Sequence, residues 1–511
     1  MTVAQLLRDA IARDRSALAL DGDGRRATFG DLDAAANRVA NALVTSGVER
    51  GDRVAFIDRN GTEFWEVQLG ALRAGAVIVP LNFRLSAAEV AWALEDSGAK
   101  VVVVGSAFAG LVPGDFPTTV VITDRPVSGT VTYADWLAPA GDLDPGRDAT
   151  GGEYIGLIYS SGTTGRPKGV LVSDEQQVWS VAAFGANFDV DGQSRSLVPI
   201  PYYHVAGGGW ALVTLSRGGT VIQSREPTAE SMFDQLVRLR ATHTAMVPAV
   251  MRVLTQSESA RDADFSALRQ LVYGGSPISE PLVRASVATF GAQLFQSYGL
   301  SETMGVTTLL GPEQHRPDGD LSRLRSAGRA VAGVDLEIRD PYDGTRVDTG
   351  ASGEIVVRAP SVTPGYWRRP DATAAAFTDD GFFRTGDMGT LDEEGFLFIR
   401  DRIKDMIVTG GENVYPAEVE SVLAAHPGLA DVAVIGVPDE RWGERPIAVA
   451  VARAEGVDPA EVVAFARERM AHYKCPTEVV FVAELPRNPS GKVLKRELRA
   501  PYWAGHDRAV G

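Results

Sequence analysis

Residues 159–170 read YSSGTTGRPKGV, which places four serines and threonines, three glycines and one lysine within twelve positions. A flexible linker would also use glycine and serine. This run, however, directly continues YIGLIYSS (154–161), whose apolar character predicts a strand, so its amides and hydroxyls are expected at the strand's carboxyl end, where open α/β sheets bind ligands. Glycines let backbone approach phosphate oxygens, hydroxyls add neutral donors, and Lys168 adds a compact positive charge. The GxxxxGK[ST] spacing of a P-loop is absent, and Pro167 stands where such a loop would enter its helix. The stretch therefore predicts a phosphate-binding loop of another design.

Working outward, β-branched runs alternate with helical patterns. Thr28 and Asp31 form a predicted capping box ahead of a helix that places Leu32, Ala36, Val39 and Leu43 on one face. RVAFI (53–57) and AVIVPL (76–81) read as strands; Ser86 and Glu89 open a second helix before KVVVVG (100–105). The same alternation extends through TAMVP and LRQLVYGG. It predicts an α/β fold: doubly wound, largely parallel sheets covered on both faces. After residue 330, DLEIRD, GEIVVRAP, GFFRTGDMGT and EEGFLFIRD predict a small antiparallel β subdomain. From Tyr415 the order helix, strand, strand, helix, strand predicts a small α+β module, with Asp458 and Pro459 starting its second helix. Residues 402–511 hold 14 Lys and Arg against 16 Asp and Glu, and residues 1–401 hold 36 against 50. The negative excess lies on the larger part, and a domain boundary is read at Asp401, giving domains 1–401 and 402–511.

The formal charge of −16 argues against nucleic acid as main partner. Cys475 is the only cysteine and the 6 histidines show no zinc spacing, which suits a reducing cytoplasm. The N-terminus lacks the basic-then-apolar order of a signal peptide. Residues 196–216, SLVPIPYYHVAGGGWALVTLS, carry no formal charge and are long enough to span a bilayer. Pro199, Pro201 and Gly207–Gly209 oppose a spanning helix; a strand, turn and helix lining a pocket is expected instead. A monomer or homodimer with no membrane span is expected.

With PYYHVAG (201–207), YGGSP (273–277), QSYGLSET (296–303), YW…FFRTGD (366–387), DRIKDMIVTGGENVYPAEVE (401–420) and NPSGKVLKREL (488–498) in this order, the chain resembles the adenylate-forming superfamily, in its acyl-CoA synthetase branch. The resemblance covers essentially the whole chain. It implies that a carboxylate attacks the α-phosphate of ATP to give an acyl adenylate and pyrophosphate, after which the thiol of coenzyme A displaces AMP. It further implies that Ser160, Ser161, Gly162, Thr163, Thr164, Gly165 and Lys168 hold the β- and γ-phosphates, with Thr163 and Glu302 near Mg2+ and Thr303 at the α-phosphate. Gly274, Gly275, Ser297, Tyr298 and Gly299 fall in the adenine-proximal segments, and Asp387 and Arg402 at the ribose. Lys492 bridges the attacking carboxylate and the α-phosphate. Asp401 corresponds to the hinge on which the small domain turns to bring Gly410, Gly411 and Glu412 to the pantetheine path.

Each of these residues has a plainer reading taken alone: Glu302 as a helix-terminal charge, Asp387 as a turn residue, Tyr298 and His204 as core, Lys492 as a solvated surface lysine. His204 resembles the family's pocket histidine, which gates the acyl site and the thiol channel. The acyl pocket is expected from Trp179, Phe184, His204, Gly207, Gly208, Gly209, Met246, Val247, Tyr273, Met304 and Val306, with the three glycines leaving room for a medium-chain, alicyclic or aromatic acid. PYYHVAG lacks the aspartate that pairs with an amino acid's ammonium, which disfavours amino acids. Two alternatives stay open: transfer of the acyl group to an amine, and a catalytically inactive nucleotide- or acyl-binding relative.

Overall fold

The computed structural model describes residues 1–22, 24–116, 119–149, 152–160, 167–261, 263–275, 278–316, 321–402, 405–409, 412–439, 441–454, 456–487 and 493–504. The chain packs as two compact units, Met1–Asp335 with Val357–Phe383, and Leu336–Val356 with Arg384–Gly511.

The first unit is built on two sheets. In the seven-stranded sheet, Val131–Thr132, Thr119–Ile122, Ala99–Val104, Arg53–Ile57, Val77–Pro80 and Tyr154–Ser160 lie side by side in parallel, and Lys168–Ser173 closes the edge antiparallel to Tyr154–Ser160. Val101, Val102, Val103 and Val104 are all fully buried, as expected of a parallel strand covered on both faces. The nine-stranded sheet has a parallel centre, from Gln293–Tyr298 through Gln270–Gly274, His243–Met246, Arg195–Val198 and Thr220–Gln223 to Leu18–Gly22, with antiparallel pairs at both edges. Both predicted capping boxes form, Thr28 with Asp31 and Ser86 with Glu89, each contributing about 1 kcal/mol to its helix. A third, Ser173 with Gln176, starts the helix Asp174–Asn187.

The uncharged run resolves as expected into the strand Arg195–Val198, a turn and the helix Val205–Ser216. No helix among the described residues is long and apolar enough to cross a membrane.

The second unit holds most of the four-stranded sheet Asp335–Arg339, Gly353–Arg358, Phe383–Leu391, Leu397–Arg402 and a five-stranded sheet that includes the long hairpin Leu429–Asp439 with Gly443–Ala452. Asp458 caps the helix Pro459–Arg467 through the Ala460 amide. Packing groups the four-stranded sheet with the C-terminal module, so the division read at Asp401 falls inside this unit, within the strand Leu397–Arg402.

Candidate active site

The strands on either side of the decisive stretch pair antiparallel: Ser160 and Lys168 are register partners on Tyr154–Ser160 and Lys168–Ser173. A P-loop leads from a strand into a helix; here the chain turns back along the same sheet, and Lys168 begins the returning strand. Ser161, Gly162, Thr163, Thr164 and Gly165 lie outside the described residues.

The neighbouring strands Gln270–Gly274 and Gln293–Tyr298 end side by side in the first unit. Gln293–Tyr298 ends at Ser297 and Tyr298, and a short 3-10 turn, Ser301–Thr303, presents Glu302. The Glu302 Oε1 accepts hydrogen bonds from Ser160 Oγ at 3.4 Å and from Tyr366 Oη at 3.1 Å. Lys168 Nζ lies 5.1 Å from the Tyr366 ring centroid, a cation–π distance. Thr303 is buried, and its hydroxyl accepts from the Leu300 amide at 2.9 Å and from Thr307 Oγ1 at 3.0 Å. Met304 follows with φ 54°, a left-handed conformation unusual for a side chain with a Cβ, and such strain gathers at functional sites. Gly274 and Gly299 are sites of close backbone approach: a Cβ would stand 2.6 Å from the Ser297 carbonyl oxygen and 2.3 Å from that of Gly305, respectively. Gly275 has φ 78°. Gly274 and Gly299 thus let neighbouring backbone pass close to the ends of these strands.

His204 is the N-cap residue of the helix Val205–Ser216. Burial, reinforced by the Arg84 charge, lowers its pKa to about 4, so the ring is neutral near pH 7. Its Nε2 is buried without a hydrogen-bond partner. Together with Met304, Gly208 and Gly209, it lines a cavity of about 60 Å³ whose other walls, among them Phe64, Trp65, Ile78, Ile155, Ile158, Val172 and Leu212, are mainly apolar. Gln68 and Gln177 are the amide groups in that lining.

The glycine triplet divides. A Cβ on Gly207 would meet the carbonyl oxygens of Pro201 at 2.4 Å and Ile200 at 2.5 Å, and one on Gly208 that of Tyr202 at 2.8 Å; Gly209 alone meets nothing within 4 Å. Two of the three glycines therefore let the helix press against the preceding loop, and only Gly209 leaves room.

Trp179, Phe184, Met246, Val247, Tyr273 and Val306 do not line this cavity. Trp179 and Phe184 belong to the helix Asp174–Asn187, and Met246 and Tyr273 are register partners at the ends of their strands, with Val247 N-capping the next helix. The Tyr273 hydroxyl lies 2.8 Å from His315 Nε2, whose Nδ1 is 2.7 Å from the Gly311 carbonyl oxygen. A carbonyl only accepts, so Nδ1 carries the proton and Nε2 accepts from the tyrosine. His315 was not anticipated from sequence, nor were the side-chain contacts of Tyr366.

In the second unit, Asp387 is buried and pairs in register with Arg402, while Met388 pairs with Asp401. The Asp401 carboxylate accepts from the Ala417 amide at 2.8 Å, at the start of the helix Pro416–Leu423. Glu412 is exposed at the start of the strand Glu412–Val414, which pairs with Ile407–Thr409. Gly410, Gly411 and Lys492 lie outside the described residues.

Residues 7–367 match the AMP-binding enzyme family, and residues 418–492 match the AMP-binding enzyme C-terminal domain. Over 497 residues the chain is 38% identical to the fatty acid–[acyl-carrier-protein] ligase ScoC of Streptomyces coeruleorubidus, spanning 96% of this chain and 94% of that protein. Over 484 residues it is 39% identical to the long-chain-fatty-acid–CoA ligase FadD13 of Mycobacterium tuberculosis, spanning 94% of each. The crystal structure of ATP-bound MatB from Rhodopseudomonas palustris shares the fold with a TM-score of 0.88 and 32% identity, over 99% of this chain and 100% of that one. On this agreement of sequence, fold and motif order, the chain belongs to the AMP-binding enzyme family, the adenylate-forming superfamily, in its acyl-CoA ligase branch.

Proposed function

We propose that this ATP-using acid–thiol ligase activates an apolar carboxylic acid, with the roles divided as follows. Ser160, the loop 161–165 and Lys168 hold the β- and γ-phosphates; Gly274, Gly275, Ser297, Tyr298 and Gly299 frame the adenine; Asp387 and Arg402 hold the ribose. Lys492 aligns the acid's carboxylate with the α-phosphate, supplying position and charge in one group. Asp401 is the hinge between the two half-reactions, and Gly410, Gly411 and Glu412 serve the thiol step.

The observation that carries this reading is that Ser160, the register partner of Lys168, hydrogen-bonds Glu302 in the turn after Gln293–Tyr298, with a mainly apolar cavity lined by His204 and Met304 in the same unit. Neutral His204 puts no cation against an incoming hydrocarbon, so the ground between His204 and Met304 suits an apolar tail.

The donor set also fits magnesium. Glu302 offers carboxylate oxygens, and no cluster of three or more His, Cys, Asp or Glu able to hold a metal occurs among the described residues. This matches an ion bound through one carboxylate plus substrate phosphates rather than in a protein cage. Glu302 and Thr163 would hold it, and when bound it supplies charge neutralisation along the phosphates.

The test is incubation with ATP, Mg2+ and a panel of acids, following pyrophosphate release, then addition of coenzyme A or amines to see which consumes the adenylate. Lys492→Ala is expected to slow adenylate formation by ~10²-fold or more while thioester formation from supplied acyl adenylate persists. Equal loss in both half-reactions would remove Lys492 from the first step.

A further inference from the structure

Tyr366 belongs to the TPGYW stretch, residues 363–367. The segment 363–367 runs along the edge strand Lys168–Ser173. The Leu171 amide donates to Gly365 O at 3.1 Å, the Trp367 amide donates to Gly169 O at 2.8 Å, and Val170 and Tyr366 form an antiparallel bridge. At its start, the Thr363 amide donates to the Glu302 carbonyl at 2.7 Å. At its end, Trp367 Nε1 donates to Asp96 O at 3.0 Å. Gly365 has φ 147°, a backbone conformation that L side chains rarely adopt, and it sets the turn that delivers the next residue. Tyr366 is thus fixed at both flanks, on the same edge as Lys168.

From there it touches both charged groups of the site. Its hydroxyl donates to Glu302 Oε1, and its ring lies under Lys168 Nζ. Opposite charges that share one neighbour and are free to swing together tend to pair and neutralise each other. No salt bridge joins Lys168 and Glu302, both described residues.

We propose that Tyr366 is a positioning residue that holds Glu302 by its hydroxyl and Lys168 by its ring, keeping the two charges apart and both directed at an incoming magnesium–nucleotide complex. This rests on the assignment of Lys168 to phosphate and Glu302 to metal. The Tyr366 and Ser160 hydroxyls both donate to Oε1 and leave the lone pairs of Oε2 for a cation.

The test is the Mg2+ dependence of ATP binding, read by isothermal titration without acid, alongside the Mg2+ dependence of pyrophosphate release at fixed ATP and acid, in the full-length protein. Tyr366→Phe keeps the ring and removes the hydroxyl; it is expected to raise the Mg2+ concentration for half-maximal rate by about 5- to 10-fold, with the KM for the acid and the unfolding midpoint unchanged. Because the defect arises from Glu302 turning toward Lys168, adding Lys168→Met should relieve it: the double variant and Lys168→Met alone should share one Mg2+ curve. Glu302→Gln serves as the reference. If Glu302→Gln shifts the Mg2+ curve and Tyr366→Phe does not, the positioning role is overturned while the metal assignment stands. If Glu302→Gln leaves the curve unmoved, the metal assignment itself fails, and the role of Tyr366 falls with it. A Tyr366→Phe defect that persists undiminished in the Lys168→Met background overturns the separation of charges.

Discussion

Alanine at Gly207 and at Gly209 provides a matched pair, because both positions lie in the helix Val205–Ser216 and differ only in what a methyl group would meet. At Gly207 the new carbon would stand 2.4 and 2.5 Å from two backbone oxygens, against an ordinary contact beginning at 3.4 Å. The loop 200–201 or the helix must therefore move by roughly 1 Å, an overpacking that costs about 1–3 kcal/mol. Both substitutions gain about 1 kcal/mol of helix propensity, which cancels when the variants are compared with each other. Gly207→Ala should thus be less stable than Gly209→Ala by about 1–3 kcal/mol, read from urea midpoints by the fluorescence of buried Trp210. Function should divide the opposite way. The methyl of Gly209→Ala enters the wall of the cavity beside His204, and one methyl in an apolar pocket shifts discrimination by about 10- to 200-fold. kcat/KM for pyrophosphate release, measured across acids of increasing width, should fall selectively for the widest. Equal destabilisation of the two variants would refute the contact geometry. An unchanged ranking of acids in Gly209→Ala would remove this cavity from the acid site.

Burial holds His204, His243 and His315 each at a pKa of about 4, against an ordinary 6.5. The unfolded chain therefore takes up protons below 6.5 that the folded chain refuses until about 4, so stability is intact above pH 6.5 and declines as pH falls through that window, by up to about 3 kcal/mol per histidine. Urea midpoints at pH 7 and pH 5 check this, and His315→Gln should flatten part of the slope. Asp387→Ala should weaken AMP and ATP binding by about 10- to 100-fold, the worth of a hydrogen bond to a charged group, leaving acid preference alone; isothermal titration with AMP reads it. Asp401→Ala loses the contact to the Ala417 amide and about 1 kcal/mol of helix capping but keeps its backbone freedom. Asp401→Pro loses both, and in single-turnover quench-flow it should release about one equivalent of pyrophosphate while thioester synthesis collapses. Undiminished thioester synthesis in folded Asp401→Pro would dispose of the hinge.

What the sequence made legible was local. Alternating β-branched runs foretold the parallel sheets, and the Thr28–Asp31 and Ser86–Glu89 pairs foretold two helix starts, because those interactions span three residues. The strand Tyr154–Ser160 leading into the fold-deciding loop was foreseen, yet the return of Lys168–Ser173 as its antiparallel partner was not visible, since register depends on what Lys168 faces across the sheet. The glycine triplet was read as open space because composition cannot tell a glycine pressed on backbone from one facing a cavity. His315 and Tyr366 escaped for the same reason: their partners, Tyr273 and Glu302, lie 42 and 64 positions away. Leu18–Gly22 likewise joins a sheet through Thr220–Gln223, some two hundred residues on, with nothing local to announce it.

A hinge at Asp401 has to turn at small cost, and the ladder around it has the form that allows this. Phe383–Leu391 and Leu397–Arg402 pair regularly from Leu391 with Leu397 to Gly389 with Ile399; the next pair is Met388 with Asp401, so Arg400 is skipped. A bulge of this kind breaks the hydrogen-bond pattern and adds local twist, which makes it a natural end to firm pairing. Only two register pairs, Met388 with Asp401 and Asp387 with Arg402, lie beyond it. Releasing their ladder bonds costs about 0.5–1.5 kcal/mol each, within reach of nucleotide binding or product release. One of the two involves Asp387 itself. On the proposed roles, a nucleotide whose ribose rests on Asp387 would bear directly on the rung at Arg402, one residue past Asp401, and departure of AMP would act on the same pair whose opening a rotation at Asp401 requires.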